Sequence, residues 1–199
     1  MANRKPRSRR VKPARAVATH SHERLYPLLD EDVIQQKVRE LARKISGDYA
    51  GRTPLLVGIL KGAWVFMADL VRQISIPITC DFLGVSSYGA STETSGVVKI
   101  VADLKRPVEG KEVLLIEDIV DSGLTLNFLI ENMQLRQAKS VKVCALLDKP
   151  TRHRADVKID YLGFTVPNRF LVGYGIDYAE RYRNLPYIGY LEFDEKAKK

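Results

Sequence analysis

Residues 113–126 read VLLIEDIVDSGLTL, and the order of side chains in this run decides the fold. Val113, Leu114, Leu115 and Ile116 form an apolar run suited to a parallel strand buried on both faces. Glu117 and Asp118 close the run, and a further acid, Asp121, follows. Ser122-Gly123-Leu124-Thr125 then turns the chain into a helical pattern. A strand thus ends in carboxylates, a glycine bend frees backbone N–H groups, and a helix N-terminus begins. Such a bend suits a phosphorylated sugar, with hydroxyls on the acids and the phosphate on the amides. The plain alternative is an ordinary strand–turn–helix whose Asp and Ser cap the helix.

Working outward, Asp30 or Asp32 stands where it could cap a helix carrying Ile34, Val38, Leu41, Ala42 and Ile45 on one face and stopping at Gly47. Residues 54–60 read as a buried strand, Lys61-Gly62 as a turn and residues 63–74 as a second helix. A strand is expected over 76–83, with Pro77 near its start, and further strands over 97–103, 112–119 and 141–147. A helix is expected from about Gly123 to Gln137. Between Val85 and Gly96 the stretch SSYGASTETSG is small and polar and reads as a long mobile loop. Strands alternating with helices predict an α/β domain with a central, mostly parallel sheet flanked by helices. Ligands then sit beyond the carboxyl ends of the strands, where Lys61, residues 117–125 and Lys149 fall. From Asp156 the alternation breaks into short strands, turns and aromatics, which predicts a small appended subdomain over about 156–192.

A chain of 199 residues with 45% apolar content supports one cored domain and a small appendage. No apolar run reaches the length of a membrane span, and charges interrupt any secretory leader. Cys80 and Cys144 lie far apart in apolar contexts without a CxxC, which predicts reduced, buried thiols in a cytoplasmic protein. His20, His22 and His153 sit among charges and read as solvated side chains. The net charge of +8 is uneven: residues 1–24 hold eight basic side chains against one acid, and the remainder holds 24 against 23. This head, with Pro6 and Pro13 and no apolar period, is expected to be a disordered extension, with residues 25–199 forming the domain. It could touch nucleic acid or an acidic partner through charge, serve only as a solubilising extension, or act as a transit peptide.

The 117–125 pattern is two acids, two apolar residues, Asp, a small hydroxylated residue, Gly, and Thr two positions on. It resembles the phosphoribosyl-diphosphate (PRPP) motif of the type I phosphoribosyltransferases. The tail YLGFTVPNRFLVGYGIDYAERYRNL at 161–185, together with LKGAW at 60–64, SSYG at 86–89 and LLDKP at 146–150, resembles the hypoxanthine-guanine branch of that family. The likeness spans roughly residues 25–192. It implies that Glu117 and Asp118 hold the ribose hydroxyls, directly or through Mg²⁺, and that Ser122, Gly123, Leu124 and Thr125 hold the 5′-phosphate. Lys61, Gly62 and Arg183 resemble the diphosphate-binding groups, a planar guanidinium being well suited to phosphate. The bond before Gly62 is one that can be cis in this family.

For the purine the likeness implies Lys149 donating to the 6-oxo group, Phe170 stacking on the ring and Leu171 meeting its edge. Asp177 resembles the carboxylate near the exocyclic group and the diphosphate metal, giving Glu117, Asp118 and Asp177 as candidate metal ligands. Ser87 and Tyr88 resemble the tip of a closing loop. An ammonium at position 149 suits an oxo acceptor and repels an amino donor. Asp121 resembles the general base that meets purine N7 as N9 attacks C1 of PRPP. Leu124 departs from members with Lys there, and Gly84 and Ser86 depart from members with basic residues, as in bacterial-type proteins. The implied activity makes IMP or GMP from hypoxanthine or guanine in a homodimer or homotetramer. Preference for xanthine, and a PRPP-sensing regulator that binds nucleic acid through its basic arm, are the alternatives.

Overall fold

The structure, a computed structural model, describes residues 23–87 and 98–193. Residues 1–22, His20 and His22 among them, and Tyr88 with most of the expected loop lie outside the described residues, as does the side chain of Ser87.

Among the described residues, nine strands and three α-helices follow in the order β1 (Glu23–Leu29), α1 (Glu31–Asp48), β2 (Leu55–Leu60), α2 (Trp64–Val71), β3 (Thr79–Ser87), β4 (Val98–Ala102), β5 (Glu112–Val120), α3 (Leu124–Leu135), β6 (Ser140–Asp148), β7 (Tyr161–Thr165), β8 (Phe170–Val172) and β9 (Ile188–Phe193). The main sheet has the order β4-β3-β2-β5-β6-β7. All its neighbours are parallel except β4, which runs antiparallel to β3.

Alternation along the central strands explains the three layers. Leu56 of β2, Leu114 and Ile116 of β5, and Cys144 and Leu146 of β6 pack with the Ile34, Val38, Leu41, Ala42 and Ile45 stripe of α1 and with Phe66 and Leu70 of α2. The intervening Val57, Val113, Leu115, Val143 and Ala145 pack with Leu126, Leu129 and Met133 of α3. Both faces are therefore covered, as continuous apolar runs in parallel strands require. Truncating one of the buried Leu, Ile or Met side chains among these to Ala should cost about 2–5 kcal/mol. Asp30 occupies the N-cap of α1 but makes no side-chain capping bond.

Several boundaries differ from expectation. The residues 76–78 leave Pro77 outside any strand, and β3 instead runs on through Val85, Ser86 and Ser87 because β4 supplies its partners there. Glu23 and Arg24, counted with the basic arm, belong to β1, which pairs antiparallel with β9. The second sheet is β1-β9-β8, while β7 joins the main sheet beside β6. The appended layer therefore draws on both ends of the described chain and not on one continuous tail. Cys144 is buried, but Cys80 is exposed, contrary to the expectation for both; both are free thiols. His153 is not simply solvated, since its Nε2 lies 2.7 Å from Asp148 Oδ1. Among the described residues no helix is long and apolar enough to cross a membrane.

Candidate active site

Topology picks out the site before any side chain does. Chain order steps outward from β2 to β3 and β4, then returns to place β5 on the other side of β2. The ladder between β2 and β5 is paired only as far as Gly58 and Ile116, after which the two strand ends part. That is the switch point at which open α/β sheets bind ligands. Lys61-Gly62 follows β2 there, Glu117 and Asp118 continue β5, and Asp121 to Thr125 follow its end.

The turn after β2 packs against β5. A Cβ on Gly62 would fall 1.9 Å from Asp118 Oδ2, so only glycine lets the Asp118 carboxylate lie against this backbone. The cis peptide in this turn joins Leu60 to Lys61, one bond earlier than the bond before Gly62. Asp118 is buried at 9% exposure. Burial pushes its carboxyl above the usual range, while backbone N–H bonds and the Arg183 charge act against that rise. Glu117 keeps some exposure, yet its Oε2 is buried without a hydrogen-bond partner. Burial first, and then the Asp118 charge, holds the Glu117 carboxyl well above the ordinary value. An acid pair of this kind calls for hydroxyl donors or a cation.

Beyond the acids the chain bends at Gly123, whose φ of +78° is a left-handed conformation that glycine adopts at low cost. The bend opens α3, and Leu124 N–H donates to Ser122 Oγ at 3.4 Å. Ser122, Leu124 and Thr125 are half-buried around this helix start.

A cavity of about 430 Å³ lies beside the bend, its walls including Asp121, Lys149, Arg152, Phe170, Leu171 and Asp177. Lys149 is 7% exposed, and its Nζ donates to Asp121 Oδ2 at 3.4 Å. Arg152 Nε donates to Asp121 Oδ1 at 3.0 Å. Phe170 is 45% exposed into this space and is held edge-on by Tyr178 at 5.1 Å and by Phe193 at 6.0 Å. All the residues expected to meet a purine, and the expected base Asp121, share this one cavity. Glu117, Asp118, Ser122–Thr125 and Lys61 are not among its walls.

A third group joins the two. Arg183 donates through Nη1 to Gly175 O at 2.8 Å, and its Nη2 lies 2.9 Å from Asp177 Oδ1. Glu180 sits between Arg183 and Lys61, with Lys61 Nζ 3.1 Å from Glu180 Oε2. Its N–H donates to Asp177 Oδ2 at 2.8 Å. Asp177 thus has one oxygen on the Glu180 N–H and the other on Arg183, and each oxygen keeps a further lone pair. Among the described residues no cluster of three or more His, Cys, Asp or Glu side chains is suited to caging a metal.

Sequence reasoning passed over Arg152, Asn168, Arg169, Tyr178, Glu180 and Phe193. Arg152 lies in the basic run KPTRHR, which reads as a solvated stretch unless its position after a strand end is weighed.

Comparison with known proteins agrees with this geometry. The profile of the phosphoribosyl transferase domain matches residues 28–179. The chain is 55% identical over 165 residues to the hypoxanthine-guanine phosphoribosyltransferase of Bacillus subtilis, covering 83% of this chain and 92% of that one. It is equally 55% identical over 165 residues to the bifunctional protein TilS/HprT of Listeria monocytogenes, of which it spans 26% of the length, with 83% of this chain covered. A crystal structure of a hypoxanthine-guanine phosphoribosyltransferase from Bacillus anthracis, with a HEPES molecule in its active site, superposes with a TM-score of 0.79 at 47% identity. The match covers 83% of this chain and 97% of that chain.

Proposed function

The chain belongs to the phosphoribosyl transferase family, and from that premise we propose that it transfers the ribosyl phosphate of PRPP to hypoxanthine or guanine. The products are IMP or GMP and diphosphate, a purine-salvage reaction. One observation carries the choice of acceptor. A buried ammonium, Lys149, an exposed ring, Phe170, and a carboxylate, Asp121, meet in one cavity beside the sheet's switch point.

The chemistry follows from the groups present. Displacement of diphosphate at C1 builds positive charge on the ribosyl carbon and leaves a highly anionic departing group. Glu117 and Asp118 take the ribose hydroxyls, and their negative field favours the cationic ribosyl centre. The Gly123 bend and the α3 N-terminus offer amides, with Ser122 and Thr125 hydroxyls, to the 5′-phosphate. Lys61 and Arg183 face the diphosphate. Lys149 donates to the purine 6-oxo oxygen, and Phe170 covers the ring, backed by Tyr178 and Phe193. Asp121, held at the cavity wall by Lys149 and Arg152, accepts a proton as the purine attacks through N9. Mg²⁺, when bound with PRPP, would supply charge neutralisation for the leaving group, and Glu117, Asp118 and Asp177 are the residues that would hold it.

The same reading places the enzyme in the cytoplasm as a homodimer or homotetramer. Phe82 of β3 and Val101 of β4, 42% and 61% exposed, supply apolar surface for such an assembly. The test is diphosphate release from PRPP and Mg²⁺ with hypoxanthine, guanine, xanthine and adenine supplied in turn. Turnover with the first two and none with adenine is the expected result. Turnover only with xanthine would move the specificity, and none with any base would overturn the reading.

A further inference from the structure

We propose that Glu180 is an internal competitor for the diphosphate of PRPP: its carboxylate occupies the place of that anion between Lys61 and Arg183 and must leave when diphosphate binds. The inference rests on the functional reading above, since it takes those two cations as the diphosphate-binding groups.

The geometry is that of a bound anion. Lys61 Nζ lies 3.1 Å from Glu180 Oε2, and Arg183 Nη2 lies 3.4 Å from each Glu180 oxygen. The two cations come from elements far apart in sequence, the β2 turn and the tail, and one carboxylate bridges them. Hydrogen bonding from Lys61, and then the charges of Arg183 and Lys61, hold the Glu180 carboxyl below its ordinary range. The carboxylate is well placed to come and go. Both Lys61 and Glu180 side chains are 66% exposed. Glu180 sits at φ +63° on a tight turn fixed by its own N–H to Asp177, so rotation of the side chain alone removes it. Arg183 does not depend on Glu180 for its position. Gly175 O and Asp177 Oδ1 already hold the guanidinium at 2.8 and 2.9 Å. Removing Glu180 therefore leaves Arg183 in place and frees charge for the ligand.

Two opposite roles are thus separable by sign. If Glu180 competes, its loss tightens diphosphate binding. If it serves to position Lys61 and Arg183, its loss weakens binding. Exposed ion pairs contribute little each, so releasing two of them corresponds to about a three- to tenfold change in affinity.

The experiment is calorimetric titration of magnesium diphosphate into the wild-type protein and into Glu180→Gln and Glu180→Gly. The glycine variant suits the left-handed φ and keeps the test sound should the glutamine variant fold poorly. The expected result is a dissociation constant about three- to tenfold lower in both variants, with a matching fall in the KM for PRPP. The difference should shrink in 0.5 M KCl, as screened charges require. Unchanged or weaker binding in the folded variants overturns the proposal alone. No binding of diphosphate by the wild-type protein overturns both the site assignment and the proposal.

Discussion

Gly62→Ala offers a direct measure of how tightly the turn after β2 must meet β5. The added Cβ would lie 1.9 Å from Asp118 Oδ2 and 2.4 Å from its Cγ, where real contacts almost never fall under 3.0 Å. The carboxylate must retreat by at least ~1.1 Å to reach even that limit. Asp118 is buried beside Glu117 and has little room to move. Overpacking of this kind costs about 1–3 kcal/mol of stability, so the variant should fold with a melting temperature lowered by several degrees. A catalytic group displaced by about 1 Å loses on the order of 10² in rate. The expected outcome is therefore a roughly 10²-fold fall in kcat/KM for PRPP, about 2.7 kcal/mol of transition-state stabilisation. The assay is steady-state diphosphate release at saturating hypoxanthine with PRPP varied, alongside thermal melting. If the loss runs through Asp118, adding Gly62→Ala to Asp118→Ala should cost little more. A folded Gly62→Ala variant within about threefold of wild type would refute the reasoning.

Asp121→Asn should lower kcat by about 10²–10⁴ with PRPP binding largely kept, measured by steady-state kinetics and calorimetry. Lys149→Ala should weaken use of the 6-oxopurine far more than PRPP affinity, and equal loss of both would make Lys149 structural. Tyr182 tests pH dependence: its hydroxyl donates to Glu23, and burial, with that bond, pushes its phenol up to about 12. The unfolded phenol ionises near 10, so the unfolded state sheds its proton first and stability falls as the pH rises from about 10 to 12. Tyr182→Phe should be less stable near neutral pH by about 1 kcal/mol yet show a shallower alkaline loss, read from denaturant midpoints at several pH values.

The parts of the fold that were legible in sequence are those set by local pattern. The Ile34, Val38, Leu41, Ala42 and Ile45 stripe recurs at helical spacing and forms the buried face of α1. The β5–bend–α3 unit could be read because apolar run, acids and glycine follow in order along one segment. Strands defined by distant partners could not be read in that way. Glu23 and Arg24 look like the end of a charged arm, but Glu23 pairs across to Phe193 and binds Arg181 and Tyr182. Val85, Ser86 and Ser87 carry little apolar signal and become strand through β4. Nothing in YLGFT says which sheet it joins; parallel pairing with β6 decides. The residues the resemblance assigns to a purine, Lys149, Phe170, Leu171 and Asp177, do line one cavity, while Arg152 and Phe193 went unread, because only the fold brings Arg152 to Asp121 and Phe193 to Phe170.

The β1–β9 pairing has a topological consequence. Glu23 and Phe193 are register partners, so β1 and β9, first and last in order among the described strands, lie side by side. The order of the described fold is therefore open to circular permutation. A short linker could join 193 to 23, and new termini could be opened near Gly110, in the exposed turn between β4 and β5. The rearranged protein should keep both sheets and the cavity lined by Asp121, Lys149 and Phe170, whereas a cut within β1 would remove the strand that flanks β9, the partner of the β8 strand that carries Phe170.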